Sequence, residues 1–199
     1  MNCEERKNKI LGLRKQDIVG KCVILRPASE KYSACIANLR NKPKNFYWFN
    51  QNYIITEESQ KQWFKSYENT DNDIYWCVLN KNEKFIGTIR LYGIDLNGEL
   101  CEEGSYVIDD DVTKDAPYAI ESKMLALDIA FDELEIKTMI NDNRADNKVM
   151  NNLDNKLGFD KGEIIQIRGV DYLHRTLTAD NYRKNRAKFS FVIDYWSER

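Results

Sequence analysis

One segment, 147–159 (NKVMNNLDNKLGF), constrains the fold of this chain more than any other. It predicts a helix over about 145–157 that ends at Gly158, because glycine is the usual residue just after a helix. A short strand-like run at 137–141 comes before it, and an amphipathic pattern at about 116–134 comes before that run. A strand between two helices, with further strand-like segments on both sides, indicates a βαβ crossover in a mixed α/β sheet.

The rest of the chain supplies the other strands and helices. Runs rich in β-branched and aromatic residues, bounded by turn residues, predict strands at 22–27, 74–79, 84–92, 100–108, 163–168 and 188–195. Apolar residues at helical spacing predict a helix from about Ser29, and another that follows an N-cap at Thr56. We therefore expect a central mixed sheet of about seven strands flanked by about four helices.

Length and charge limit the class of protein. A chain of 199 residues with 42% hydrophobic residues can bury the core of one domain, which we place at 21–199. Residues 1–20 are highly charged and are expected to form a short helix or a loose arm. The net charge of −2 excludes a generally basic nucleic-acid-binding protein, and no apolar run reaches the roughly 18 residues of a membrane span.

Cysteine usage indicates the compartment. The five cysteines are scattered without a CxxC pair, and the N-terminus lacks the apolar core of a secretion signal. These features are typical of reduced thiols, so we expect a cytoplasmic protein without a disulfide framework. The spacing also lacks a zinc-ligand pattern, and we expect no metal.

A candidate phosphate-binding site lies where the helix at about 116–134 begins. The first turn of a helix has backbone N–H groups without partners and a partial positive charge, which together suit a pyrophosphate. The segment 114–122, KDAPYAIES, covers this helix start and has a basic residue, Lys114, at its head. Pro117 lacks an N–H, so one donor is missing there, and the alternative is an ordinary amphipathic core helix with proline in its first turn.

Segments 114–122 and 147–159 together resemble the coenzyme-binding half of a GNAT-superfamily acyl-CoA N-acyltransferase. The family pattern [Q/R]-x-x-G-x-[G/A] is matched in outline by Lys114, Pro117 and Ala119. The family pattern N-x-x-S-x-x-[L/Y]-x-x-K-x-G-F is matched at five positions, with Met150 in place of the serine; the matching residues are Asn147, Leu153, Lys156, Gly158 and Phe159.

The resemblance implies acetyl-CoA as co-substrate, transfer of its acetyl group to a primary amine, and no metal. Asn147 is then expected to bind the pantetheine arm; the alternative is that it serves only as an N-cap. Leu153 stands where the family places a tyrosine that can protonate the leaving thiolate, although many relatives also lack that tyrosine. The coenzyme-binding residues implied in this way are Tyr106, Val107, Ile108, Lys114, Asp115, Ala116, Tyr118, Ala119, Asn147 and Leu153.

The strand 100–108 carries the candidate general base. Alternation along a strand puts Glu102, Gly104, Tyr106 and Ile108 on one side and Glu103 on the other. Its E-x-G-x-Y stretch resembles that of amino-sugar acetyltransferases of the pseudaminic acid pathway. Glu102 is the first candidate for the base and Glu103 the second; the alternative is two solvated carboxylates.

Aromatic residues in the front half are candidates for acceptor binding. The L-R-N-x-P stretch within 38–43 is similar to that of sugar-nucleotide and ribosomal-protein acetyltransferases. Trp48, Phe49 and Tyr53 are expected to stack on a sugar or base ring, or else to pack as core or lid.

The C-terminal third is locally basic and contains the single histidine. His174 has no partnering motif and is expected to be structural. The basic residues could meet phosphates or form a solvated helix face; they are Arg168, Arg175, Arg183, Lys184, Arg186 and Lys188.

These observations predict an N-acetyltransferase acting on a small-molecule amine, most simply that of an amino-sugar nucleotide. Two alternatives stay open: a protein N-terminal acetyltransferase, and a non-catalytic binding module with the same fold. We expect no nucleic-acid or membrane partner, and a monomer or homodimer. The prediction requires strand 100–108 to part from strand 137–141, because a coenzyme arm needs a slot between them.

Overall fold

A computed structural model describes residues 1–198. Eight strands are present in this part of the chain: β1 (Ile18–Val19), β2 (Val23–Pro27), β3 (Ile74–Asn80), β4 (Phe85–Tyr92), β5 (Leu100–Ile108), β6 (Thr138–Arg144), β7 (Glu163–Ile167) and β8 (Val170–Thr178). The helices are α1 (Cys3–Leu13), α2 (Ser33–Asn41), α3 (Pro43–Trp48), α4 (Glu57–Tyr67), α5 (Tyr118–Asp128), α6 (Lys148–Leu157) and α7 (Ala179–Ser197).

The strands form one mixed sheet in the order β1-β2-β3-β4-β5-β6-β8-β7. β5 and β6 pair in parallel, and the other neighbours pair antiparallel. The expected mixed α/β architecture is confirmed. The sheet has one more strand than expected, because β1 and β8 were not among the expected strands and the strand expected at 188–195 does not form. Seven helices are present among residues 1–198 where about four were expected.

Two hydrophobic layers cover the sheet, one on each face. Alternation along β3 sends Trp76 and Val78 into the larger layer, which includes side chains of α1, α5, α6 and α7. The intervening residues Tyr75 and Cys77 enter the smaller layer, beneath α2 and α4. Because burial on both faces fixes the register of a strand, the central strands have one defined pairing.

The charged N-terminal segment is packed onto the rest of the molecule. Residues 1–20 were expected to form a short helix or a loose arm, and they contain α1, which starts at a capping box between Asn2 and Glu5. Ile10 and Leu13 are fully buried in the larger layer. The buried Arg6 donates from Nε to the carbonyl oxygen of Leu134 at 2.8 Å. The segment therefore shares the hydrophobic core of residues 21–198.

The C-terminal end differs from the sequence prediction. A strand was expected at 188–195, and these residues lie inside α7 instead; the last strand is β8. The helix forms because Tyr182, Phe189 and Ile193 recur at helical spacing and are buried on one face. Tyr182 fixes that face, since its hydroxyl donates to Asp128 Oδ1 of α5 at 2.8 Å. Within residues 1–198, no helix has both the length and the apolar character needed to cross a membrane.

Candidate active site

A slot opens in the middle of the sheet, where β5 and β6 separate. The two strands pair over only four positions, from Leu100–Thr138 to Glu103–Asn141. Beyond this point β5 continues along β4 to Ile108, while β6 continues along β8 to Arg144. The facing edges of the parted strands therefore have backbone donors and acceptors without a strand partner. The required separation of these two strands is present.

A β-bulge in β5 lies beside the slot. Thr88 pairs with Val107 and Arg90 with Gly104, so β5 carries one extra residue there. Ser105 in the bulge has a φ of +46°, and its carbonyl accepts a hydrogen bond from Thr88 Oγ1 at 2.7 Å. The left-handed backbone at Ser105 is a conformation that non-glycine residues adopt only where their surroundings hold them.

Because of the bulge, the side chains of β5 do not alternate as expected. Tyr106 was expected on the side of Glu102, and it lies instead on the α5 side, where its hydroxyl donates to the carbonyl of Ala119 at 2.5 Å. Ile108 likewise enters the larger hydrophobic layer. The extra residue shifts the alternation by one position, so Glu103 and Tyr106 share a face.

The slot opens into a cavity of about 450 Å³. The following expected site residues line it: Trp48, Phe49, Glu102, Glu103, Tyr106, Val107, Ile108, Ala119 and Asn147. Six others lie outside the lining: Tyr53, Lys114, Asp115, Ala116, Tyr118 and Leu153. Residues 141–144 of β6 and Tyr92 of β4 also line the cavity.

Glu102 lines the cavity and is half-buried. The hydroxyl of Tyr92, its cross-strand neighbour, donates to Glu102 Oε1. Burial raises the pKa of Glu102, the Tyr92 hydrogen bond lowers it, and the negative charge of Asp142 raises it. The net shift is upward, which suits a general base that works near neutral pH.

Tyr92 is held in place from two sides. Gly104 leaves room for its ring, because a Cβ at this glycine would lie 2.8 Å from Tyr92 Cε1. The Arg90 guanidinium lies 4.9 Å from the Tyr92 ring centroid and forms an ion pair with the buried Asp73. These contacts position the phenol that holds Glu102.

A second acid–base pair adjoins Glu102. Asp142 on β6 lines the cavity, and its Oδ1 lies 2.7 Å from Nδ1 of His174 on β8. His174 was expected to be structural because no partnering motif surrounds it. The partner comes from the cross-strand pairing of residues 142 and 174, which are far apart in sequence.

Glu103 belongs to a buried ion cluster on the opposite face of the sheet. Its Oε2 lies 2.8 Å from Nζ of Lys123 on α5, and the same Nζ lies 2.6 Å from Oδ1 of Asp154 on α6. Asn141 donates to Glu103 at 2.9 Å and Asn143 donates to Asp154 at 2.6 Å. Burial raises the pKa of Glu103, and the charge of Lys123 opposes this shift. The cluster therefore links β5, α5 and α6 beside the slot.

The start of α5 has the features expected of a phosphate site. Pro117 is the N-cap, and no side chain caps the helix among the described residues. The first-turn amides, which include Ala119 and Ile120, have no carbonyl within the helix to bond. Lys114 and Asp115 precede this turn and are exposed, while Ala116 and Tyr118 are partly buried.

Two expected coenzyme-binding residues, Asn147 and Leu153, belong to α6 and its N-cap, and only Asn147 lines the cavity. Asn147 is the N-cap of α6, since its Oδ1 accepts from the Met150 amide at 3.2 Å, and it also lines the cavity. Leu153 packs against the larger hydrophobic layer.

α3 lies over the mouth of the cavity and is attached to both parted strands. Lys42 pairs with Asp109 just beyond β5 at 2.6 Å. On the other side, the Tyr47 hydroxyl donates to Asp146 beyond β6, and the Arg144 guanidinium lies 3.9 Å from the Tyr47 ring centroid. Trp48 and Phe49 at the end of α3 face the cavity, whereas Tyr53 is exposed outside it.

Three of the six basic C-terminal residues bond to acceptors elsewhere in the fold. Arg175 is buried and donates to the carbonyl of Asp160 from Nε at 2.7 Å. Arg183 pairs with Asp132, and Arg186 with Asp128. Arg168, Lys184 and Lys188 are exposed. Residues 1–198 contain no cluster of three His, Cys, Asp or Glu side chains suited to a metal.

Residues 23–160 match the family model for an acetyltransferase (GNAT) domain. The match runs from β2 to the residue after Phe159, so it includes the slot, Glu102 and the start of α5. A comparison with curated proteins found no match.

Solved structures share the fold. The chain is similar to apo FdhC, a nucleotide-linked sugar GNAT, with a TM-score of 0.73 at 21% identity over 89% of this chain and 98% of that one. A GCN5-related N-acetyltransferase from Brucella melitensis has a TM-score of 0.73 at 15% identity, covering 93% and 95%. Spermidine N-acetyltransferase from Vibrio cholerae, in complex with CoA and spermine, has a TM-score of 0.73 at 16% identity, covering 82% and 99%.

Proposed function

Because this chain belongs to the GNAT family of acetyl-CoA-dependent N-acetyltransferases, we propose that it acetylates the primary amine of an amino-sugar nucleotide. One observation carries the proposal: the slot leads into a cavity where Glu102, with a raised pKa, lies together with Trp48 and Phe49. Aromatic faces stack on sugar and base rings, and a partly buried carboxylate with a raised pKa can accept a proton from an ammonium group. The nucleotide-linked sugar GNAT among the similar structures agrees with this acceptor class.

The coenzyme is proposed to enter from the start of α5. Its pyrophosphate would accept hydrogen bonds from the first-turn amides around Ala119, where no side-chain cap competes. The pantetheine arm would lie between β5 and β6 and bond the free edge of β5 at Tyr106 to Ile108. Asn147 lines the same cavity, so it could contact the arm while it caps α6.

Acetyl-CoA supplies the thioester. Glu102 is proposed to take the proton that the acceptor ammonium must lose before the amine attacks the thioester carbonyl carbon in a ternary complex. Amides of the β5 edge would stabilise the negative charge that develops on the carbonyl oxygen. Tyr92 would keep the Glu102 carboxylate directed at the amine.

Glu103 and Leu153 are not given chemical steps in this proposal. Glu103 lies on the other face of the sheet from Glu102 and is ion-paired with Lys123. Leu153 has no proton to donate, and we propose that the leaving thiolate receives, through water, the proton that the attacking nitrogen loses as the tetrahedral intermediate collapses.

A thiol-release assay tests the acceptor class. The panel contains UDP-linked amino sugars, peptides with free N-termini, and spermidine. We expect the highest kcat/KM for an amino-sugar nucleotide. Turnover of peptides or spermidine in preference to every sugar would contradict the proposal, and calorimetric binding of acetyl-CoA without turnover of any amine would favour the non-catalytic alternative.

A further inference from the structure

Arg40, in the last turn of α2, lines the cavity with unused hydrogen-bonding capacity. Its guanidinium lies over the ring of Phe49, 4.1 Å from the centroid. Its Nε is buried and has no hydrogen-bond partner among residues 1–198. A shielded guanidinium without an acceptor costs free energy, and because Arg40 lines the cavity, the rest of its guanidinium is available to an anionic ligand there.

The other arginines that are shielded from solvent in residues 1–198 all have acceptors. Each donates to a carbonyl or a carboxylate; they are Arg6, Arg14, Arg26, Arg90, Arg144, Arg175 and Arg186. The fold therefore satisfies its shielded guanidinium groups as a rule, and Arg40 is the exception at the candidate site.

The neighbouring cations of the cavity are already neutralised. Lys44 pairs with Asp110 at 2.7 Å, and Arg144 pairs with Asp146 at 3.1 Å. Arg40 thus contributes a positive charge without a matching carboxylate. A guanidinium presents parallel N–H groups that fit two oxygens of one phosphate, and its stacking on an aromatic ring fixes the plane of these donors.

The position of Arg40 associates it with the acceptor instead of the coenzyme. It lies near Tyr75, whose side chain is on the face of the sheet beneath α2 and α4. The start of α5 packs on the opposite face, so the coenzyme pyrophosphate and Arg40 are on different sides of the sheet. Glu102 and Tyr92 face the Arg40 side.

We propose that Arg40 is a specificity-determining residue that binds a phosphate of the acceptor, and that the cavity therefore selects amines carrying an anionic group. This inference rests on the proposed function and adds that the acceptor is recognised by its negative charge. A nucleotide-linked sugar supplies a diphosphate to pair with Arg40. A polyamine supplies only positive charge, which Arg40 repels.

The test compares Arg40→Ala with the wild type on two acceptors that share one amino sugar. One acceptor is linked to UDP, and the other is the uncharged methyl glycoside. We expect Arg40→Ala to lower kcat/KM for the UDP-linked sugar by about 30-fold, mainly through KM, which corresponds to about 2 kcal/mol for a lost charge-assisted hydrogen bond. The value for the methyl glycoside should not change.

Two further variants make the result specific. Arg40→Lys keeps the positive charge but loses the paired N–H donors of the guanidinium, so its kcat/KM for the UDP-linked sugar should lie between those of Arg40→Ala and the wild type. If the alanine variant does not bind acetyl-CoA in calorimetry, the lysine variant alone tests the phosphate contact. Arg183→Ala removes an exposed arginine of α7 and should behave like the wild type on both acceptors.

Three results would overturn the inference. They are equal losses on both acceptors, no loss on the UDP-linked sugar, and full recovery by lysine. Failure of the proposed function is distinguishable, because it appears in the wild type alone, as turnover of spermidine or peptides without turnover of either sugar.

Discussion

Replacing Lys123 with methionine tests the buried ion cluster below the slot. The change keeps most of the side-chain volume but removes the cation that lies 2.8 Å from Glu103 and 2.6 Å from Asp154. All three side chains are fully buried, so two carboxylates would lose their shared counter-ion without access to water. Breaking a buried ion pair by removing one partner costs about 3–5 kcal/mol.

The expected loss is large enough to measure by two methods. For a domain of this size about 1 kcal/mol shifts Tm by about 2–4 °C, so the melting temperature should fall by about 6–20 °C. Urea unfolding followed by tryptophan fluorescence at pH 7 should show the same loss as a lower midpoint, with an unchanged slope.

The loss should also depend on pH. Burial already raises the pKa of Glu103 in the presence of Lys123, and removing the cation raises it further. A carboxyl group with a raised folded-state pKa favours the folded state at low pH, and this contribution is lost as pH rises through the folded-state pKa. The deficit of Lys123→Met should therefore be smaller at pH 5 than at pH 8.

A triple variant is the matched control. Glu103→Gln and Asp154→Asn, added to Lys123→Met, remove the stranded charges and should restore part of the lost stability. Stability of Lys123→Met within about 1 kcal/mol of the wild type at pH 8 would refute the reasoning, since uncompensated buried charges cost several times that. A triple variant less stable than the single one would refute it as well.

Three other predictions concern activity. Glu102→Gln should lower kcat by about 100-fold or more without changing the Kd for acetyl-CoA; retention of most of the wild-type kcat would exclude Glu102 as the base. Lys114→Glu should weaken acetyl-CoA binding in calorimetry by about tenfold because it adds a negative charge beside the proposed pyrophosphate site, whereas Lys161→Glu, beyond the far end of α6, should not. Gly104→Ala should displace the Tyr92 ring and remove the hydrogen bond that lowers the Glu102 pKa, so the acidic limb of the kcat/KM profile should move to higher pH; an unchanged limb would contradict this role of Tyr92.

The sequence predicted the elements around the slot because their signals are local. The glycine stop of α6 and the apolar face of α5 each depend on residues a few positions apart. The helix α7 was missed for the opposite reason. Its aromatic and β-branched residues at 189–195 satisfy strand propensity when read alone, and the helical spacing becomes visible only when Tyr182 is included.

The chemistry of the site was harder to predict because it depends on register. One extra residue at Ser105 moves Tyr106 to the other face, and no composition signal marks that bulge. The Asp142–His174 pair comes from alignment of β6 with β8. The missing partner of Arg40 is a property of the folded surroundings, so no reading of residues 38–43 could have revealed it.

Only four residue pairs, all between β5 and β6, join the two halves of the sheet in the described residues. One half consists of β1–β5 and the other of β6–β8. In the proposed complex the pantetheine arm would lie between β5 and β6, so coenzyme binding would add contacts that join the two halves of the sheet. A ligand at a hundredfold excess over its Kd adds about 2.7 kcal/mol to the free energy of unfolding. Protein from which the coenzyme has been removed should therefore have a lower Tm than the same protein with saturating coenzyme added.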